Sequence, residues 1–209
     1  MGAGCRQERL LNAKRLFEQQ VALRSEAAVA GKFRGRDGSA DVIKFISRRE
    51  WTIERNADHD GFKGLDVEYL GLDINADYIA FARRTYGDKG TFVVGDTRSL
   101  RGDTRFRDAD IVLAISVLHH LNDEEAAECI RFAYDALKRG GRLICHDACW
   151  IPNQGAVSKW IMSYDRGRNI RTEQQCRQLA GKIFRNVHAR VDTKPLRIPY
   201  VTIVLECEK

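Results

Sequence analysis

At 209 residues, 44% apolar and 31% charged, the chain fits a single domain with a substantial core, and its composition excludes a disordered or fibrous class. The net charge of +6 comes from 35 basic and 29 acidic residues with no long like-charge block, so nucleic-acid binding is not indicated. No apolar run approaches the ~18 residues of a membrane span, and the first residues lack the apolar segment of a signal peptide. The six cysteines (Cys5, Cys129, Cys145, Cys149, Cys176, Cys207) are too scattered for a disulfide framework, which points to a reduced, cytoplasmic protein. Cys145 and Cys149 have no second pair at zinc spacing, so no metal is expected.

Taken in order, residues 1–40 read as an N-terminal helical segment, with Leu10, Leu11, Leu16, Phe17, Val21, Leu23 and Val29 near helical spacing between Gln7 and Lys32. Residues 41–209 read as one α/β domain. Asp41 to Ser47 is a first strand with Lys44 in its middle, and residues 48–63 show no clear period. Val67 to Asp73 is a short buried strand ending in a carboxylate, followed at once by a helix from Ala76 to Tyr86. Strands then alternate with helices at βαβ spacing: Thr91 to Asp96, Asp110 to Ser116 and Arg142 to Asp147 as strands, Asp123 to Lys138 and Thr172 to Phe184 as helices. Asn122 or Asp123 caps the first of these helices, and Gly140-Gly141 is expected to terminate it. Ala189 to Leu196 and Tyr200 to Cys207 form a closing antiparallel pair.

Four consecutive strands thus end in Asp73, Gly95-Asp96, Ser116 and His146-Asp147, at the carboxyl edge where α/β sheets bind ligands. An acid ending an apolar strand needs a partner, and a ribose, whose hydroxyls donate, supplies one; capping of the next helix is the alternative. Asp73 is placed for the ribose. Asp96 is placed for an exocyclic amine, with Thr97 or Arg98 backbone toward the ring, while Ile74 and Leu100 are candidate walls of an adenine slot.

Tyr69 to Asn75, Phe92 to Asp96, Asp110 to Leu121 and Ala136 to Leu143 resemble, in order and spacing, successive motifs of the class I S-adenosylmethionine-dependent methyltransferases. The resemblance covers residues 65–209 and implies a doubly wound, mostly parallel seven-stranded sheet with a C-terminal antiparallel hairpin, the Rossmann-like methyltransferase fold. It further implies S-adenosylmethionine as cofactor, with Asp73 on the ribose, Asp96 on the adenine, Ile74, Gly95 and Thr97 beside them, and Ile115, Ser116 and His119 flanking the methionine part. One feature departs from the family. Its first strand ends in an acid followed by a glycine loop, whereas Val42 to Glu50 contains no glycine, and Lys44, Arg48 and Arg49 bring positive charge. Three readings stay open: an altered loop that still binds, a degenerate domain without activity serving as a binding or structural protein, or a reading-frame error within residues 40–64.

His119 stands where a general base acting on an acceptor is expected, although methyl transfer from a sulfonium needs mainly alignment and desolvation. His146, Asp147 and Cys149 could join it around a metal, with loop polarity as the simpler account. Residues 150–172 are long for a connection and read as a lid-like insert over the acceptor. Within it Arg166, Arg168 and Arg171, together with His146, are the candidate substrate-binding residues, suited to an anionic small molecule such as a carboxylate or phosphate. The expectation is methyl transfer to a small-molecule acceptor.

Overall fold

The computed structural model describes residues 41–47 (as backbone), 67–87, 90–165, 167–193 and 199–209. The expected N-terminal helix and the segment from Arg48 to Lys63 lie outside the described residues.

The strands are β1 (Asp41–Ser47), β2 (Val67–Asp73), β3 (Thr91–Val94), β4 (Ala109–Ile115), β5 (Leu137–Trp150), β6 (Arg171–Thr172), β7 (Asn186–Asp192) and β8 (Thr202–Glu208). The helices are α1 (Ala76–Tyr86), α2 (Asp123–Ala136), α3 (Ala156–Ser163) and α4 (Glu173–Gly181). The sheet order is β3-β2-β1-β4-β5-β8-β7, with the two-residue β6 beside β5. Pairings from β3 through to β5 are parallel, and β8 enters antiparallel between β5 and β7. The sheet therefore holds eight strands where seven were expected. β1 lies between β2 and β4, with Ser47 in register with Ile115, so the strand that carries Lys44 occupies the middle of the sheet.

Alternation along β4 shows why helices cover both faces. Ile111 and Leu113 join Tyr69, Ile79, Ala82, Phe92 and Ile144 beneath α1. Val112 and Ala114 join the larger cluster that includes Ala126, Cys129, Ile130 and Ala133 of α2 and Cys176, Leu179 and Ala180 of α4. Those spacings of three and four put one stripe of each helix against the sheet. Helices α1, α2 and α4 start on a side-chain cap: Asn75 accepts from the backbone N–H groups of Asp77 and Tyr78, while Asn122 with Glu125 and Thr172 with Gln175 form reciprocal capping boxes; α3 starts at Gly155 without one.

The structure corrects one boundary. α2 ends at Ala136 and β5 begins at once, so Gly140 and Gly141 do not terminate the helix but lie in a bulge of β5, where the register with β4 jumps from Ala109↔Leu137 to Ile111↔Arg142. Gly140 has φ +76°, a left-handed conformation that glycine adopts without cost. A Cβ on Gly141 would meet the carbonyl oxygen of Ala109 at 2.8 Å, so the close approach of β4 requires glycine there too.

Candidate active site

Asp73 ends β2 as a buried carboxylate at 5% exposure. Its Oδ1 accepts the backbone N–H of Asn75 at 2.7 Å, and its carbonyl accepts from Gly95 N at 3.0 Å. The acid is thus held at the carboxyl edge by the turn into α1, and the same turn leaves Ile74 half exposed beside it. One strand along, Gly95 packs against Leu100, whose Cδ1 would lie 2.8 Å from a Cβ. Asp96 is exposed, and its Oδ1 accepts from the backbone N–H groups of Ser99 at 2.6 Å and Arg98 at 3.0 Å. The Ser99 bond above all holds this carboxyl below the usual carboxylate range. The anionic Asp96 caps its own turn, with Thr97 half-buried in it.

On β4 the chain leaves through Ile115 into Ser116, which takes φ +55° and donates its N–H to the carbonyl of His146 at 2.8 Å. A non-glycine residue in the left-handed region carries strain, which clusters at functional turns. Asp73, Gly95-Asp96 and Ile115-Ser116 therefore sit at the same edge of neighbouring parallel strands, with β1 between β2 and β4.

His119 follows in a single 3-10 turn, Leu118–His120, and is buried at 5% exposure. Its Nδ1 bonds Asp147 Oδ1, its backbone N–H donates to Asp147 Oδ2 at 3.1 Å, and its Nε2 lies 3.4 Å from Asp165 Oδ1. Asp165 is fixed in turn by Tyr200 Oη, which donates to Oδ2 at 2.8 Å, and by Gly167 N at 2.9 Å. Burial alone lowers the imidazole pKa, but the Asp147 and Asp165 carboxylates outweigh it and raise it to about 9. At neutral pH His119 is an imidazolium between two carboxylates, with both ring nitrogens engaged. Burial pushes the Asp147 carboxyl up, and the His119 charge more than reverses that, leaving it below its ordinary value.

His146 stands apart from this group. Adjacent residues of a strand point to opposite faces. His146 shares the face of Ile144 and is fully buried without a hydrogen-bond partner for Nδ1 among the described residues. Its burial drives the pKa down to about 4, so it is neutral. The expected grouping of His146, Asp147, Cys149 and His119 is therefore split: Asp147 meets His119, and His146 does not. Cys149 is buried, its thiol pushed up to about 11 by desolvation.

The three arginines of the insert also divide. Arg166 lies outside the described residues, and Arg168 is exposed. Arg171 is buried at 6% exposure and spends its guanidinium inside the protein. Nη1 donates to the carbonyls of Leu118 (2.8 Å) and Asn169 (3.2 Å), Nη2 to the carbonyl of Leu121 (2.8 Å), and Nε to Asp123 (2.8 Å). Asp165, Gly167 and Tyr200 were not picked out from the sequence, because Asp165 and Gly167 reach His119 from 46 and 48 positions away, Tyr200 reaches Asp165 from 35, and no spacing rule links them. A cavity of about 490 Å³ opens at the other end of β4 and β5, lined by Phe106, Phe132 and Lys209 among others. Leu100, which packs against Gly95, is part of its lining, while Asp73 and Asp96 are not.

Residues 53–143 match a family model described as a methyltransferase domain. The matched stretch runs through β2, β3 and β4 into β5, and this part of the chain is similar to a methyltransferase domain. Among solved structures the chain is similar to an S-adenosylmethionine-dependent methyltransferase of Methanosarcina mazei, at TM-score 0.63 and 16% identity, covering 86% of this chain and 96% of that one. It is also similar to magnesium protoporphyrin IX methyltransferase of Synechocystis with bound S-adenosylhomocysteine, at TM-score 0.65 and 20% identity, covering 93% and 85%. A possible exported protein of Bordetella parapertussis aligns at TM-score 0.61 and 16% identity over 88% of this chain, which spans 65% of that protein's chain. At these identities the likeness concerns the fold. No curated protein sequence matches the chain. Among the described residues no helix is long and apolar enough to cross a membrane.

Proposed function

We propose that this domain transfers the methyl group of S-adenosylmethionine to an anionic small-molecule acceptor. The observation that carries the reading is Asp73, a buried acid at the end of β2, one strand from Gly95-Asp96 and across β1 from the strained Ser116 turn. In this reading Asp73 accepts from the ribose hydroxyls. Ile74, Gly95, Asp96 and Thr97 bound the adenine, with the turn bonds at Arg98 and Ser99 keeping Asp96 anionic. Ile115 and Ser116 line the methionine part. S-adenosylmethionine supplies the electrophilic methyl group, and the chain's contribution is to align the acceptor and exclude water. His119 takes a positioning role, because an imidazolium paired with two carboxylates is a poor base for an acceptor. Recognition of the acceptor's negative charge falls to Arg168 and Arg166, since Arg171 is committed to backbone carbonyls.

A second reading, an inactive domain that keeps the fold and serves as a binding or structural protein without taking the cofactor, is favoured by one feature, the absence of glycine between Val42 and Glu50. Calorimetric titration of the full chain with S-adenosylmethionine separates the two. Stoichiometric binding that Asp73→Ala weakens by about 1–3 kcal/mol, roughly 5–150-fold, supports the cofactor site. No heat at millimolar ligand ends the enzyme reading, and binding unchanged in Asp73→Ala removes the ribose role.

A further inference from the structure

The turn after β4 and the insert after β5 bring two imidazoles and a carboxylate together. One ligating atom from each of His119, His120 and Asp165 lies within 4.8 Å of those of the other two. His119 Nε2 and Asp165 Oδ1 are 3.4 Å apart. That is the edge of a tetrahedron whose corners lie about 2.1 Å from its centre, the distance at which zinc takes nitrogen and oxygen ligands. The His120 ring lies against that of His119, centroids 4.0 Å apart.

The surroundings supply what a metal-bound imidazole needs. His119 bonds Asp147 through Nδ1, an arrangement that fixes the ring and directs Nε2 outward as the ligand. Asp165 is oriented from behind by Tyr200 and Gly167. Gly167 presses on the imidazole so closely that a Cβ there would fall 1.7 Å from His119 Cδ2, which fixes the ring plane as well.

We propose that His119, His120 and Asp165 bind a divalent transition-metal ion of the zinc class, with Asp147 orienting His119 and a fourth position open to water or an acceptor oxygen. Two imidazoles and one carboxylate select such an ion over magnesium or calcium, which prefer all-oxygen sites. Binding exchanges the Nε2 proton of His119 for the metal; that proton leaves to solvent, and the Nδ1 proton stays with the Asp147 hydrogen bond. The ion ties the turn after β4 to the insert after β5. The proposal stands independently of methyl transfer, and its test needs no S-adenosylmethionine.

The chelator-treated full chain is titrated with Co²⁺, followed by visible absorption, and with Zn²⁺, followed by calorimetry and thermal unfolding. The expected result is one ion per chain, cobalt bands without sulfur charge transfer, displacement of cobalt by zinc, and a rise in Tm with zinc. His120→Ala and Asp165→Ala should each abolish stoichiometric binding, and Asp147→Asn should weaken it about 10–100-fold. If Asp165→Ala fails to fold, His120→Ala decides, because neither the Asp147–His119 bond nor the His119–Asp165 pair uses the His120 side chain as a partner. Absence of binding at high micromolar ion overturns the proposal. So does binding that survives His120→Ala, or a sulfur-to-cobalt band assigning the ion to the buried cysteines.

Discussion

Replacing Arg171 by Ala distinguishes a buried structural cation from an acceptor-binding one. The guanidinium is the hydrogen-bond donor to the carbonyls of Leu118, Leu121 and Asn169, and it pairs with Asp123, whose side chain is 84% exposed. Hydrogen bonds to charged groups contribute about 1.5–3 kcal/mol each, and an acceptor left buried without a partner costs about 1–3 kcal/mol. Three carbonyls lose their donor at once, but a truncated polar site admits water and the losses do not add, so the net expectation is about 3–5 kcal/mol. The Asp123 pair contributes little beside this, because an exposed ion pair is worth about 0–1 kcal/mol.

Urea unfolding of wild type, Arg171→Ala, Arg171→Lys and Asp123→Ala reads this directly. Arg171→Ala should lower the midpoint without changing the slope, and Asp123→Ala should stay within about 1 kcal/mol of wild type. Lysine should recover only part of the loss, since its ammonium cannot span three carbonyls in the geometry of a planar fork. A stable Arg171→Ala with a raised KM for the acceptor would refute the structural account and restore Arg171 to the substrate site. An Asp123→Ala as costly as Arg171→Ala would refute the division of energy between carbonyls and ion pair.

Gly167→Ala forces a methyl group into a ring that Asp147 holds in place, and should cost about 1–3 kcal/mol in thermal or urea unfolding; a neutral effect would mean that the insert is free to withdraw. Stability should also fall between pH 6.5 and 4.5, before ordinary carboxylates titrate, because His146 is buried neutral with its pKa at about 4 against an unfolded value of 6.5. The sign follows from protons: in that window the unfolded chain binds one more, so His146 contributes stability that is complete above about 6.5 and lost as pH falls through 4. At 1.36 kcal/mol per unit the loss is on the order of 2 kcal/mol by pH 5, and His146→Leu should abolish it. His119 acts oppositely, contributing fully below about 6.5 and losing that contribution as pH rises through 9, so it adds no slope on the acid side.

The elements of the domain were legible because each follows from a local signal. The helix at Ala76–Tyr86 begins at a capping Asn and presents Ile79 and Ala82 to the sheet, and β4 is apolar from Ile111 to Ile115 because both its faces are covered. The strand-end acids were legible for the same reason, since an acid after an apolar run is a local anomaly. The junction at residues 136–141 was not. Two glycines after basic residues signal a helix stop in the sequence, whereas here they let β5 bulge against β4, and that need arises from the neighbouring strand.

The environment of His119 was illegible for a deeper reason. His146 and Asp147 are adjacent in sequence, yet the pleat of β5 sends one beneath the α1 face, where desolvation keeps it neutral, and the other toward His119, where it holds a positive charge. A motif read as one cluster is two environments with opposite effects on imidazole. The groups that complete the second, Asp165 and Tyr200, arrive from the insert and from the lead into β8, so the chemistry of the turn after β4 is fixed only when the C-terminal third of the chain has folded against it. The insert that looked like a lid over a site is therefore also a wall of one. Its acid determines whether His119 carries a proton or a metal, and a change at Asp165 should be felt at His119 before it is felt at the strand-end acids.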